Sequence, residues 1–213
     1  MKQASFFDQR DDVCREEKFD LPNADVRLIH HWLQVGEAQA LFGKLRDQLQ
    51  WEQTEIWLHG KQHPIPRLNA WYGDEGQRYT YSGRTFHPLP WTPTLYALKE
   101  RIERHTGYGF NSVLANLYRD GADSVAWHAD DEPELGRNPV IASLSLGGTR
   151  RFSLKPRHPK SVRPLHIDLV AGSLLLMASS TQHHWLHQIP KTVKPVEPRI
   201  NLTFRLVKHG VKH

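Results

Sequence analysis

Hydrophobic residues recur with two different periods along this chain, and the point where the period changes divides it. Between residues 37 and 50, Ala38, Leu41, Phe42, Leu45 and Leu49 recur at three- and four-residue spacing, which predicts an amphipathic helix. A second helix is predicted over residues 92–106, with Leu95, Leu98 and Ile102 as its apolar stripe. Thr92 suits the N-cap, Pro93 the first helical position and Gly107 the left-handed stop. From Asn111 onward, alternation replaces the helical period. Short strands are expected at residues 112–118, 124–128, 140–146, 151–154, 165–169, 173–177, 185–189 and 200–207, with turns at Gly121, Gly147-Gly148 and Gly172. The expected fold is mainly β with flanking helices, the strands closing into a sandwich, jelly roll or barrel and the helices propping the sheet from behind.

The last strand alternates most strongly. Ile200, Leu202, Phe204 and Leu206 share one face, and Arg199, Asn201, Thr203 and Arg205 share the other. Facing solvent, the second set is an ordinary polar exterior. Facing inward, it aims two guanidinium groups into a cavity, where their burial is costly without an anionic partner. A small dicarboxylate satisfies that requirement, because Arg grips carboxylates through paired hydrogen bonds. Asn116 and Tyr118 stand two apart on an earlier strand and offer an amide and a phenol to the same space.

Composition narrows the chemistry. The 213 residues are 38% hydrophobic, enough for one sizeable core and a single domain. No run of about 18 apolar residues suggests a membrane span, and the first twenty residues lack the apolar core of a secretory signal. Residues 1–25 are polar, have no clear period, and are expected to form a loosely docked arm. Cys14 is the only cysteine, so intramolecular disulfides and thiolate-rich zinc sites are excluded and a reducing cytosol is expected. A metal would have to rely on His and carboxylate. Lys plus Arg number 28 against 23 acids, a net charge of +5 that suits a polyanion as well as it suits ordinary solubility.

Two stretches then stand out. In residues 51–82, Trp51, Trp57, Trp71, Tyr72, Tyr79 and Tyr81 are interleaved with His59, Lys61, Arg67 and Arg78. Such a stretch suits stacked bases and their phosphates, or simply a hairpin covering the core. The other is His128-Ala-Asp130. In extended chain these side chains share a face and can bind one cation together, and a second His brought in by the fold would complete the facial triad of non-haem Fe(II) oxygenases. His183, His184 and His187 are all candidates for that role, and spacing alone does not choose among them.

Taken in order, the motifs Pro66-Arg67-Leu-Asn-Ala-Trp71-Tyr72-Gly73, Tyr79-Thr-Tyr81-Ser82, Asn116-Leu-Tyr118, Trp127-His128-Ala-Asp130-Asp131-Glu132-Pro133, Ile141-Ala-Ser-Leu-Ser-Leu-Gly147, Trp185-Leu-His187-Gln-Ile-Pro190 and Pro198-Arg199-Ile-Asn201-Leu-Thr203-Phe-Arg205 resemble the AlkB family of Fe(II)- and 2-oxoglutarate-dependent dealkylating dioxygenases, specifically its nucleic-acid repair demethylases. The resemblance covers residues 51–207. It implies a double-stranded β-helix (a distorted jelly roll) spanning about 110–207 within one domain of residues 26–213. A nucleotide-recognition lid would cover it over about 51–84. It implies His128, Asp130 and His187 as iron ligands. Asn116, Tyr118, Arg199, Asn201, Thr203 and Arg205 would form the 2-oxoglutarate pocket, with Arg199 at the carboxylate far from iron and Arg205 on the metal side near Asp130. Tyr79, Tyr81, Ser82, Asp131 and Glu132 would hold the damaged base, while Arg67 and Lys61 contact the backbone.

The implied activity is oxidative demethylation of 1-methyladenine and 3-methylcytosine in alkylated DNA, using O2 and releasing formaldehyde. The protein would be a monomer, cytoplasmic, or nuclear in a eukaryote. The same chemistry on RNA or protein, and a non-catalytic nucleic-acid-binding module, are the rival readings. One departure bears on the substrate. Family members that open duplexes carry a bulky aromatic at the lid tip, where this chain has Leu58-His59-Gly60. A weak wedge points to single strands, because extruding a base from a duplex costs a few kcal/mol. Arg150, Arg151, Lys155, Arg157, Lys160 and Arg163 suggest a basic loop able to track phosphates.

Overall fold

The computed structural model describes residues 13–58, 61–77, 79–81, 84–158 and 162–208. In chain order the strands are β1 Arg15–Phe19, β2 Asp25–His30, β3 Glu55–Leu58, β4 Lys61–Pro64, β5 Leu68–Gly73, β6 Tyr79–Tyr81, β7 Arg84–Phe86, β8 Leu89–Pro90, β9 Ser112–Tyr118, β10 Val125–His128, β11 Ile141–Gly147, β12 Arg150–Pro156, β13 Leu165–Leu169, β14 Leu174–Ala178, β15 Trp185–Ile189 and β16 Arg199–Arg205. The helices are α1 Val35–Gln48, α2 Pro93–Thr106 and the single turn α3 Thr181–His184.

Two sheets make the core. The larger runs β1-β2-β14-β11-β16-β9-β5-β8 and the smaller β10-β15-β12-β13, while β3-β4 and β6-β7 are separate hairpins. Among the described residues every pairing is antiparallel except β5 with β8. The large sheet is covered on both faces. Ala38, Leu45, Leu95, Leu98 and Ile102 of the two long helices pack against Val113, Ala115, Leu144, Leu174, Leu176, Ile200, Leu202 and Phe204 on one side. Leu28, Ile141, Leu175 and Met177 face the small sheet's Phe152, Leu154, Ile167, Trp185 and Ile189 on the other. Double coverage explains why β14 is an unbroken apolar run, Leu174-Leu-Leu-Met-Ala178. The result is the jelly roll with helices behind one sheet.

The second helix follows its end signals closely. The Thr92 hydroxyl accepts from the Leu95 amide at 3.2 Å, and Gly107 stops the helix at φ 75°. The first helix lies two residues earlier than the predicted window, ending at Gln48, with Leu49 buried as its cap. Gly147 closes β11 at φ +79°, where a Cβ would collide with the Pro198 carbonyl oxygen, so the turn requires glycine.

Four features differ from expectation. Residues 15–19 are not a loose arm but an edge strand paired with β2, its four charged residues suiting a sheet edge. Strand β2, too short and mixed in polarity to stand out in the sequence, is inserted beside β14. The aromatic stretch is not all lid: β5 belongs to the large sheet between β9 and β8. Leu206 lies past the end of β16 and is exposed.

Candidate active site

Register brings the candidate ligands together. His128 is paired with His187 across β10 and β15, and their ring centroids are 4.2 Å apart. Asp130 follows just beyond β10, with its carboxylate 3.9 Å from His128 Nε2. One ligand atom from each of His128, Asp130 and His187 lies within 4.8 Å of the others. His183 and His184 sit in α3 and are exposed, so the fold resolves the ambiguity left by spacing.

Each ligand is held in a form suited to a cation. His128 Nδ1 is 2.9 Å from the Ala126 carbonyl oxygen, which can only accept. Nδ1 therefore carries the proton and Nε2 presents its lone pair. His187 is fully buried against Phe152, and burial first, then the neighbouring His128, drives its pKa down to about 3, so it is neutral at pH 7. Burial alone would raise the Asp130 pKa. Arg205 and the two imidazoles outweigh it and bring it to about 2. The Arg205 guanidinium donates to Asp130 Oδ1 at 2.8 Å.

Gln182 carries no recognisable motif or period. It is buried in α3, and its Oε1 accepts the Asp130 amide at 3.0 Å. It thereby ties the Asp130 segment to the turn that leads into His187. A buried glutamine is recognisable as a tie only once its partner, 52 positions away, is known.

The polar face of β16 turns inward. Asn201, Thr203 and Arg205 line the pocket with Asn116, Tyr118, Ser143 and the three ligands. Asn201 pairs in register with Asn116, and Arg199 with Tyr118. Arg199 is one step further along the strand, outside the wall itself and 0% exposed. One of its nitrogens reaches the Ser145 hydroxyl at 2.9 Å, while its Nε and Nη1 are buried without a hydrogen-bond partner among the described residues. Burial pulls its pKa down to about 10, so it remains a cation at pH 7. A buried guanidinium with unused donors, at the far end of a pocket that has a second guanidinium at its metal end, fits a dicarboxylate. Two imidazoles and one carboxylate, with positions left open, fit Fe(II).

The proposed substrate contacts fare differently. Arg67 does not face outward: it lines the pocket and donates to Asn116 Oδ1 at 2.8 Å and to the Ser124 carbonyl at 3.1 Å. Asp131 is paired with Arg157 at 2.5 Å, and Glu132 is half-buried; neither is among the described residues lining the pocket. Tyr79 and Tyr81 are both on β6, Leu58 ends β3 and Lys61 begins β4. His59, Gly60, Ser82 and Lys160 lie outside the described residues. Of the expected basic loop, Arg150, Arg151 and Lys155 belong to strand β12, while Arg157 and Arg163 lie between β12 and β13. Arg150 is buried, Arg151 pairs with Asp168, and Lys155 sits 4.4 Å from the Trp127 ring centroid. Among the described residues, no helix is long and apolar enough to cross a membrane.

A family model described as the 2OG-Fe(II) oxygenase superfamily matches residues 25–205. The Homo sapiens alpha-ketoglutarate-dependent dioxygenase alkB homolog 3 is 45% identical over 190 residues, covering 85% of this chain and 66% of that protein, so the chain spans just under two thirds of that relative's length. The Mus musculus DNA oxidative demethylase ALKBH2 is 38% identical over 180 residues, covering 80% of this chain and 75% of that protein. Among solved structures, that of OsALKBH1 superposes with a TM-score of 0.60 at 15% identity, covering 89% of this chain and 99% of that one, a likeness of fold. With its ligand geometry, its inward row of polar residues and this match along most of its length, the chain belongs to the 2OG-Fe(II) oxygenase superfamily.

Proposed function

We propose that this chain oxidatively removes methyl groups from N-alkylated bases, 1-methyladenine and 3-methylcytosine, in DNA, single strands being preferred and RNA the alternative polymer. The observation that carries the reading is the convergence of His128, Asp130 and His187 beside an inward row of polar residues ending in the partner-poor Arg199. The names of the similar alkB homolog 3 and DNA oxidative demethylase proteins support the substrate class.

In this reading His128, Asp130 and His187 hold Fe(II), and Arg199, Asn201, Asn116 and Tyr118 seat 2-oxoglutarate. When bound, these groups supply the activation of O2 that hydroxylates a methyl carbon on a base nitrogen, after which the methyl departs as formaldehyde. The chain's own part is placement. Arg205 keeps Asp130 ionised and oriented from within the pocket. Phe152, Val125, Ile189 and Met177 line the ligands with apolar surface that excludes water. The resemblance supplies Tyr79, Tyr81, Leu58, His59, Gly60, Lys61 and Ser82 as the candidate contacts to the damaged strand. Asp131 and Glu132 suit the positive charge of both lesions, although Asp131 must first exchange its Arg157 partner. A monomer in a reducing compartment is part of the reading, in keeping with the exposed free Cys14.

The test is turnover of methylated oligonucleotides, DNA and RNA, single- and double-stranded, with a methylated peptide alongside. Formaldehyde and succinate in equal amounts from oligonucleotides are expected, highest with single-stranded DNA. Activity on the peptide alone would overturn the substrate assignment. Metal binding without succinate formation on any substrate would favour a non-catalytic module.

A further inference from the structure

Arg150 is 3% exposed, although neighbouring Arg151 is fully at the surface. Its guanidinium donates to the carbonyl oxygens of Asp120 at 3.0 Å, Asp123 at 2.8 Å and Pro190 at 2.8 Å. Those neutral acceptors solvate the charge without cancelling it. Asp123 and Asp120 both act on its charge, and Asp123 has both carboxylate oxygens on Arg119, at 2.8 and 2.9 Å. Arg150 also lies 5.5 Å from the Tyr118 ring centroid, and Arg199 lies 5.3 Å from the same ring. Two buried guanidinium groups thus share one aromatic ring at the far end of the pocket, and one of them has donors without partners. Like charges placed so closely in a buried site favour an incoming anion more than either charge would alone.

We propose that Arg150 is a specificity-determining positioning residue for the keto acid: it never touches the acid, but its charge, added to that of Arg199 beside Tyr118, makes the pocket select a second carboxylate over a neutral tail. The inference rests on the 2-oxoglutarate reading of the pocket. Arg150 acts in two ways. It braces the Asp120–Asp123 turn and Pro190 around Tyr118, and it sets the potential at the place where the distal carboxylate would rest. Bracing alone would affect all keto acids equally. The potential discriminates among them.

The experiment is calorimetric titration of the full chain, loaded with Mn(II), with 2-oxoglutarate and with 2-oxopentanoate, a keto acid of the same length with one carboxylate fewer. The readout is the ratio of the two affinities. Arg150→Gln is expected to lower that ratio about tenfold while changing 2-oxopentanoate binding less than threefold. Arg150→Lys keeps the charge and loses carbonyl bonds, so its Tm should fall while the ratio stays within threefold of wild type. Arg119→Gln leaves Arg150 intact and frees the Asp123 carboxylate to neutralise it, so the ratio should fall about threefold; this arm stands even if Arg150→Gln does not fold. An unchanged ratio in Arg119→Gln and in folded Arg150→Gln, or a collapsed ratio in Arg150→Lys, overturns the proposal. Failure of the wild-type chain to bind 2-oxoglutarate at all refutes the parent reading instead.

Discussion

At the scale of single residues, the proposed site separates candidate metal ligands from the groups that aim them. His187 is buried and neutral, so its removal leaves no unpaired charge behind. His187→Ala should retain the native circular dichroism and a cooperative melt yet lose Mn(II) binding and all turnover; a variant that still turns over would refute its role as a ligand. Gln182→Leu removes the acceptor for the Asp130 amide at similar volume. Outer partners of this kind typically tune metal affinity by about 10- to 100-fold. A drop of that order in Mn(II) affinity is expected, together with a lower Tm because the buried Asp130 amide loses its acceptor, and an unaltered titration would reduce Gln182 to packing. Arg199→Ala should weaken 2-oxoglutarate binding far more than metal binding, because its unused donors lie at the end of the pocket away from the ligands.

At the scale of elements, β16 does two jobs at once. One face inserts Ile200, Leu202 and Phe204 into the helix-backed core, and the other presents Asn201, Thr203 and Arg205 to the pocket. Leu202→Ala should therefore lower stability by about 2–5 kcal/mol in chemical denaturation and leave the keto-acid affinity nearly intact. The turn after β9 adds a pH dependence. Burial raises the Asp123 carboxyl pKa, but hydrogen bonds and charge from Arg119 outweigh it, so the folded value lies below the unfolded 3.8. A depressed carboxylate contributes stability that is present above about pH 4 and is lost as pH falls through the folded value. Asp123→Asn should flatten the acid side of a Tm-against-pH curve below about pH 4; an identical acid slope would count against the pair.

At the scale of the whole molecule, a net charge of +5 and the proposed nucleic-acid substrate together predict salt-dependent binding. Single-stranded DNA affinity should fall steadily between 50 and 200 mM salt, and a flat response would contradict phosphate contact. The slope should be shallow, because Arg150 and Arg67 are turned inward and Arg151, Arg119 and Arg157 are paired with acids.

The same scale separates what local pattern settles from what packing settles. Alternation along β16, the end signals of α2 and the His-x-Asp spacing are consequences of period and local chemistry, and they were legible because each is complete within a few residues. Other features depend on partners far along the chain. His187 is singled out from His183 and His184 by the β10–β15 register. Arg67 and Arg150 become interior groups rather than phosphate contacts because carbonyls and an amide from distant turns receive them. Residues 15–19 become a strand only because β2 offers an open edge. A residue's chemistry and its period are local properties. The direction in which a long cation points depends on where unfilled acceptors lie, and only the folded chain brings those acceptors within reach.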